Sequence, residues 1–197
     1  MSDRKKNRKQ QILEVLAHEL ETRPGNRITT ARLAEAVGVS EAALYRHFPS
    51  KARMFEGLID FTEETIFGLA NRIMEEETDV VSRCEKLLLV LLRFAERNPG
   101  ITRILVGDAL IGENQRLRQR MTQLFDRLET QFKQILRESP MGGEYRPAGS
   151  TSSIANLLLS IADGRMCRYV RSGFSVRPTE YWEIQWPLLK QGLFIHN

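Results

Sequence analysis

Between Gly38 and Pro49 stand the side chains with the most chemistry to offer: Ser40, Glu41, Ala42, Tyr45, Arg46 and His47. On a helix, residues three or four apart share a face. Residues 41, 42, 45 and 46 then point one way while Leu44 and Phe48 point the other. A helix with such a face fits the DNA major groove, where base edges carry a distinct donor and acceptor pattern. Arg46 suits guanine or a phosphate, and Ala42 suits a thymine methyl. Tyr45 and His47 suit phosphates, contacts that position a protein without reading sequence. Glu41 has two readings, an acceptor from cytosine or an acid serving the helix dipole. Thr29, Thr30 and Lys51 are further phosphate candidates at helix N-termini, and capping accounts for Thr29 and Ser40 nearly as well.

The elements that must hold these groups are short. Thr29 or Thr30 caps a helix whose buried side is Leu33, Ala34 and Val37, and Gly38 ends it because glycine tolerates a left-handed turn. Ser40 caps the next helix, of about two turns, which ends at His47-Phe48. Ahead of them, Ile12, Val15, Leu16 and Leu20 mark a helix from Gln10, stopped at Arg23-Pro24-Gly25-Asn26. Residues 1 to 9 form a basic arm with Arg4, Lys5, Lys6, Arg8 and Lys9. It reads as a solvated terminus or as a contact to phosphates or the minor groove.

Charge points the same way. Residues 1–55 hold eleven Lys/Arg against six Asp/Glu, whereas the remaining 142 hold 18 against 19. A basic segment joined to a neutral remainder suits a nucleic-acid-binding module with a second domain, divided here as 1–9, 10–55 and 56–197. The longest purely apolar run, Leu87 to Leu92, falls far short of the roughly 18 residues a membrane helix needs, so a cytoplasmic protein is expected. Cys84 and Cys167 match no metal or redox spacing and read as reduced, buried thiols. His47 has no second metal ligand at a usable spacing. There are no phosphate-loop glycines, no acid–base pair at a telling spacing and no nucleophile motif, so neither an enzyme nor a cofactor is expected.

The remaining chain reads as helices over about 51–77, 80–97, 101–110, 113–138, 152–171 and 179–194, with a Gly/Pro/Ser-rich loop at 139–150 and a linker at 172–178. No strand is convincing. The expectation is an all-α protein of about nine helices. The last two carry Leu158, Ile161, Ala162, Tyr169, Trp182, Trp186 and Leu189 at helical spacing. They are the candidate dimer interface, a four-helix bundle made with a second copy, although Trp182 and Trp186 equally suit an ordinary core. Two recognition helices about 34 Å apart would read a palindrome, whereas one short helix gives a weak site. A small-molecule pocket among Phe61, Phe67, Leu91, Phe94, Leu105 and Phe125 is the competing reading, and a filled core accounts for those residues equally well.

The order Thr29-Thr30, Leu33-Ala34, Gly38-Val39-Ser40, Leu44-Tyr45-Arg46-His47-Phe48 and Ser50-Lys51 resembles the DNA-binding domain of the TetR family of bacterial regulators. That resemblance implies a helix-turn-helix domain of three helices, a C-terminal helical domain for dimerisation and regulation, and a homodimer on palindromic double-stranded DNA. Three further stretches, 39–55, 95–105 and 169–179, resemble one branch of that family, which prevents division-ring assembly over chromosomal DNA (nucleoid occlusion). This closer likeness implies contact with the tubulin-like division protein FtsZ through Phe61, Val90, Arg93, Arg97 and Asn98. The residues alone allow a blander reading of 96–100, a helix end with polar decoration. A ligand-released transcriptional repressor is the alternative function.

Overall fold

Nine α-helices run along the described residues: α1 (Ser2–Thr22), α2 (Thr30–Val37), α3 (Glu41–His47), α4 (Lys51–Glu76), α5 (Val80–Arg97), α6 (Pro99–Leu105), α7 (Gln115–Arg137), α8 (Thr151–Arg171) and α9 (Trp182–Leu193). The computed structural model describes residues 2–23, 28–138 and 143–197, with side chains from residue 8 onward. The expected stop at Pro24-Gly25-Asn26 and the start of the 139–150 loop lie outside the described residues, as do the side chains of Arg4, Lys5 and Lys6. The backbone of the expected basic arm is helical from Ser2, so α1 begins eight residues before the expected start at Gln10.

The chain divides into two compact units, residues 1–62 with 98–121, and residues 63–97 with 122–197. The division is not the linear one at residue 55 that charge suggests, because α6 and the start of α7 pack with the N-terminal helices. In the first unit Ile12, Leu16, Leu33, Leu44, Met54, Phe55, Leu117 and Ile104 are essentially sealed from solvent. Burying each such side chain is worth about 1.5–3 kcal/mol. The stretch read as one helical piece over 101–110 is broken at Gly107, whose φ of 80° ends α6 and starts a 3₁₀ turn at Asp108–Leu110.

In the second unit Leu87, Leu88, Leu92, Leu124, Phe132, Leu158 and Trp186 form the core. Asp79 accepts a bond from the Ser82 N–H at 2.7 Å and so caps α5. Two short strands, β1 (Tyr145–Pro147) and β2 (Phe194–His196), pair antiparallel with Tyr145 opposite His196 and Pro147 opposite Phe194. They correct the expectation of a strand-free chain. Of the two cysteines, Cys84 is buried, with its thiol pushed up to about 12 by desolvation, but Cys167 is only half-buried, so one of the two thiols departs from expectation. Among the described residues no helix is long and apolar enough to cross a membrane.

Candidate nucleic-acid interface

The helix-turn-helix is built from local chemistry. Thr29 caps α2, its hydroxyl accepting from the Arg32 N–H at 3.4 Å. Gly38 closes the helix at φ 74°, a conformation that costs glycine little. Ser40 caps α3 by accepting from the Ala43 N–H at 3.2 Å. Leu44 is the buried anchor of α3, while Ser40, Glu41, Ala42, Tyr45 and Arg46 are exposed and His47 is half-buried. The structure thus leaves Glu41, Ala42, Tyr45 and Arg46, four of the residues expected to meet DNA, exposed on α3.

Two of them are held by a third in a way their spacing did not announce. The Tyr45 hydroxyl donates to Thr30 Oγ1 at 3.2 Å, and the Thr30 hydroxyl donates to Glu41 Oε2 at 2.7 Å. This relay ties the start of α2 to both turns of α3. It gives Glu41 a fixed rotamer, a role beside the two weighed from sequence. Tyr45 must exchange its bond to Thr30 if its proton is to meet a phosphate.

Lys51 departs from expectation. Its ammonium donates to the Ile28 carbonyl at 3.0 Å and pairs with the Glu113 carboxylate, and both side chains are largely covered. A cation satisfied twice inside its own unit is not presented to DNA. Nothing in the sequence marked Glu113, 62 residues away, as its partner. Arg8 bonds Gln11 at 2.7 Å, and Lys9 lies 5.6 Å from the centre of the Phe48 ring.

The residues expected to meet a protein partner are placed as follows. Val90, Arg93 and Arg97 lie on α5, with both arginines exposed. They are three and four apart and therefore share a face. Arg93 and Arg97 also line a cleft of about 330 Å³ with Leu89, Glu96, Thr179, Trp182 and Glu183. Glu96 is engaged there, accepting from the Thr179 hydroxyl at 2.5 Å. Phe61, on α4, is 46% exposed, and Asn98, at the N-terminus of α6, is half-buried; both belong to the first unit. None of the six residues expected to shape a small-molecule pocket lines this cleft. Leu91, Phe94 and Leu105 are core, and the Arg127 guanidinium covers the Phe67 ring at 4.0 Å.

The expected dimer residues need correction. Leu158, Ala162, Tyr169, Trp182 and Trp186 are buried within their own chain, and Ile161 and Leu189 are half-buried. Trp182 stacks on Trp186 at 5.6 Å and lies 5.2 Å from the Arg165 guanidinium, which is why its ring is core. The exposed apolar residues are their neighbours: Leu157 on α8, Tyr181 just ahead of α9, and Ile184 and Leu188 on α9, the last three 64–67% exposed. Helical period selected the stripe of α8 and α9 that is turned inward within the single chain.

Comparison with known proteins agrees with the geometry. Residues 12–58 match the family model described as bacterial regulatory proteins, tetR family. Residues 78–194 match the model described as tetracyclin repressor-like, C-terminal domain, of the SlmA-like type. A protein of Idiomarina loihiensis named nucleoid occlusion factor SlmA is 56% identical over 193 residues, 98% of each chain. A Marinomonas protein of the same name is 54% identical over all 197 residues, 100% of each chain. Among solved structures, a TetR transcription regulator from Haloarcula marismortui aligns with a TM-score of 0.78 at 19% identity, covering 96% of this chain and 100% of its own. The MbdR regulator from Azoarcus sp. CIB gives 0.79 at 16% identity, covering 95% and 100%. The fold is the all-α TetR-like one.

Proposed function

Because the chain belongs to the nucleoid occlusion factor SlmA family of TetR-type regulators, we propose that it is a non-enzymatic, homodimeric, sequence-specific DNA-binding protein of the nucleoid. It acts as a nucleoid occlusion factor by opposing FtsZ ring assembly over chromosomal DNA. The observation that carries the DNA-binding half is the outward face of α3, where Glu41, Ala42, Tyr45 and Arg46 are exposed around a single buried anchor, Leu44. Arg46 and Ala42 read base edges, Tyr45 and His47 meet phosphates, and Thr30 holds Tyr45 and Glu41 in register. Thr29 and Ser40 fix the helices that carry them. Val90, Arg93 and Arg97 on α5, with Phe61 and Asn98, are the groups proposed for FtsZ.

The two halves are tested together. Duplexes selected from a random pool by the wild-type chain should converge on a palindrome. Arg46→Ala should lose about 5- to 150-fold in affinity for it, as loss of a bidentate base contact worth about 1–3 kcal/mol predicts. With that duplex present, the protein should reduce the FtsZ polymer recovered by sedimentation, and Arg97→Ala should not. An unselective pool would refute the DNA assignment. A verified duplex with no effect on FtsZ would leave a transcriptional repressor in its place.

A further inference from the structure

Two covered cations in the first unit play no part in the DNA face, and both grip the same connector. Arg103, on α6 and 4% exposed, donates through Nη1 to the Leu20 carbonyl at 2.7 Å and the Arg23 carbonyl at 3.4 Å. Lys51 donates to the Ile28 carbonyl. Arg23 directly follows α1, and Ile28 stands two residues before α2. Each cation is in turn held by a carboxylate from the segment after α6: Arg103 by Asp108 at 2.5 Å, Lys51 by Glu113. Charge-assisted bonds of this kind are roughly twice as strong as neutral ones. The Lys51–Glu113 pair is largely shielded from the solvent that weakens surface pairs, and in the other pair the Arg103 side is covered while Asp108 is partly exposed.

We propose that residues 103–113 form a clamp that sets the position of the recognition module, and that Arg103 and Glu113 are positioning residues for DNA recognition, Glu113 acting through Lys51. The chain of cause is short. Glu113 fixes the Lys51 ammonium, and Lys51 fixes the carbonyl of Ile28. Ile28 precedes Thr29, the cap of α2, and Thr30, whose hydroxyl bonds both Glu41 and Tyr45 on α3. Release of Ile28 therefore shifts the group that holds the reading face, without removing any group from that face. The proposal rests on α3 being the recognition element.

The test uses the full chain, a duplex selected by the wild type, and a shuffled duplex of the same composition, each titrated over a salt series. Glu113→Gln keeps the side-chain shape and removes the charge. It should weaken binding to the selected duplex about tenfold while leaving the shuffled duplex and both salt slopes unchanged. Amide exchange should accelerate at residues 28–33 and stay unchanged at 124–135. Asp108→Asn, which loosens Arg103 from the exposed side of its pair, should act in the same direction and guards against a Glu113 variant that fails to fold. Tighter binding to both duplexes, with slopes steeper by about one counterion, would overturn the clamp and make Lys51 a phosphate cation masked by Glu113. Unchanged affinity and unchanged exchange in both variants would overturn it as well. If the wild type itself fails to separate the two duplexes, the DNA reading falls, and exchange at residues 28–33 still decides the clamp.

Discussion

Replacing Gly100 by alanine should lower the unfolding free energy by about 3 kcal/mol, the upper part of the range for forcing volume into a packed site. The second residue of α6 lies directly against α1, and a Cβ there would stand 2.0 Å from the Ala17 carbonyl oxygen and 3.0 Å from the Glu21 nitrogen. Those atoms are backbone in the last turns of α1 and cannot step aside as a side chain tip would. Either α6 lifts from α1 or α1 bends. Both routes stretch the bonds from Arg103 to the end of α1, so operator affinity should fall with stability. Gly68, in α4, is the control: nothing lies within 4 Å of its would-be Cβ. Alanine there should stabilise by about 0.5–1 kcal/mol through helix propensity alone. Urea unfolding of the two variants with unchanged slopes checks both signs. A Gly100→Ala chain as stable as wild type would show that α6 does not pack as described.

Gly100 also marks the limit of what the residues disclosed by themselves. Asn98-Pro99-Gly100 reads as a helix stop, and α5 does end at Arg97. The same three residues open α6, and glycine stands there for an approach to a helix some eighty residues earlier in the chain. Features closed within a few residues were legible: Thr29 and Ser40 as caps, Gly38 at the turn, Leu44 inward and Arg46 outward. Each depends on a bond or a period that spans no more than one helical turn. What depended on partners far along the chain was not legible. Lys51 looked like a phosphate cation because Glu113, its counter-ion, sits beyond α5 and α6. The pairing of β1 with β2 joins three residues after a loop to three near the end of the chain, and one strand contains Pro147. Neither is long enough to show alternation. On α9 the tryptophans share one helical stripe with Leu189, yet only packing decides which stripe of a largely apolar helix stays outside. There the outer stripe is Tyr181, Ile184 and Leu188.

That outer stripe carries the largest expected effect on function. Replacing both Ile184 and Leu188 by glutamate should convert the protein to a monomer at micromolar concentration and weaken binding to its selected duplex by about 10²- to 10⁴-fold, the gain that linking two sites confers. The side chains are 67% and 64% exposed, so the substitutions remove no core contact within the chain, and the helical circular dichroism and the first unit should be unaffected. A two-fold interface presents the same patch from both copies, so each glutamate appears twice. Four unpaired charges then meet where apolar side chains worth about 1.5–3 kcal/mol each on full burial would have met. Tyr181 sharpens the expectation. It stands directly before α9 in a left-handed conformation at φ 58° and is 66% exposed, an arrangement that costs a non-glycine residue about 1–3 kcal/mol. Sedimentation velocity and duplex titration on one preparation separate the alternatives. A dimer that survives both glutamates places the interface elsewhere. A monomer that still binds the full palindrome with wild-type affinity means that one copy of α3 suffices, and the paired-reader account fails with it.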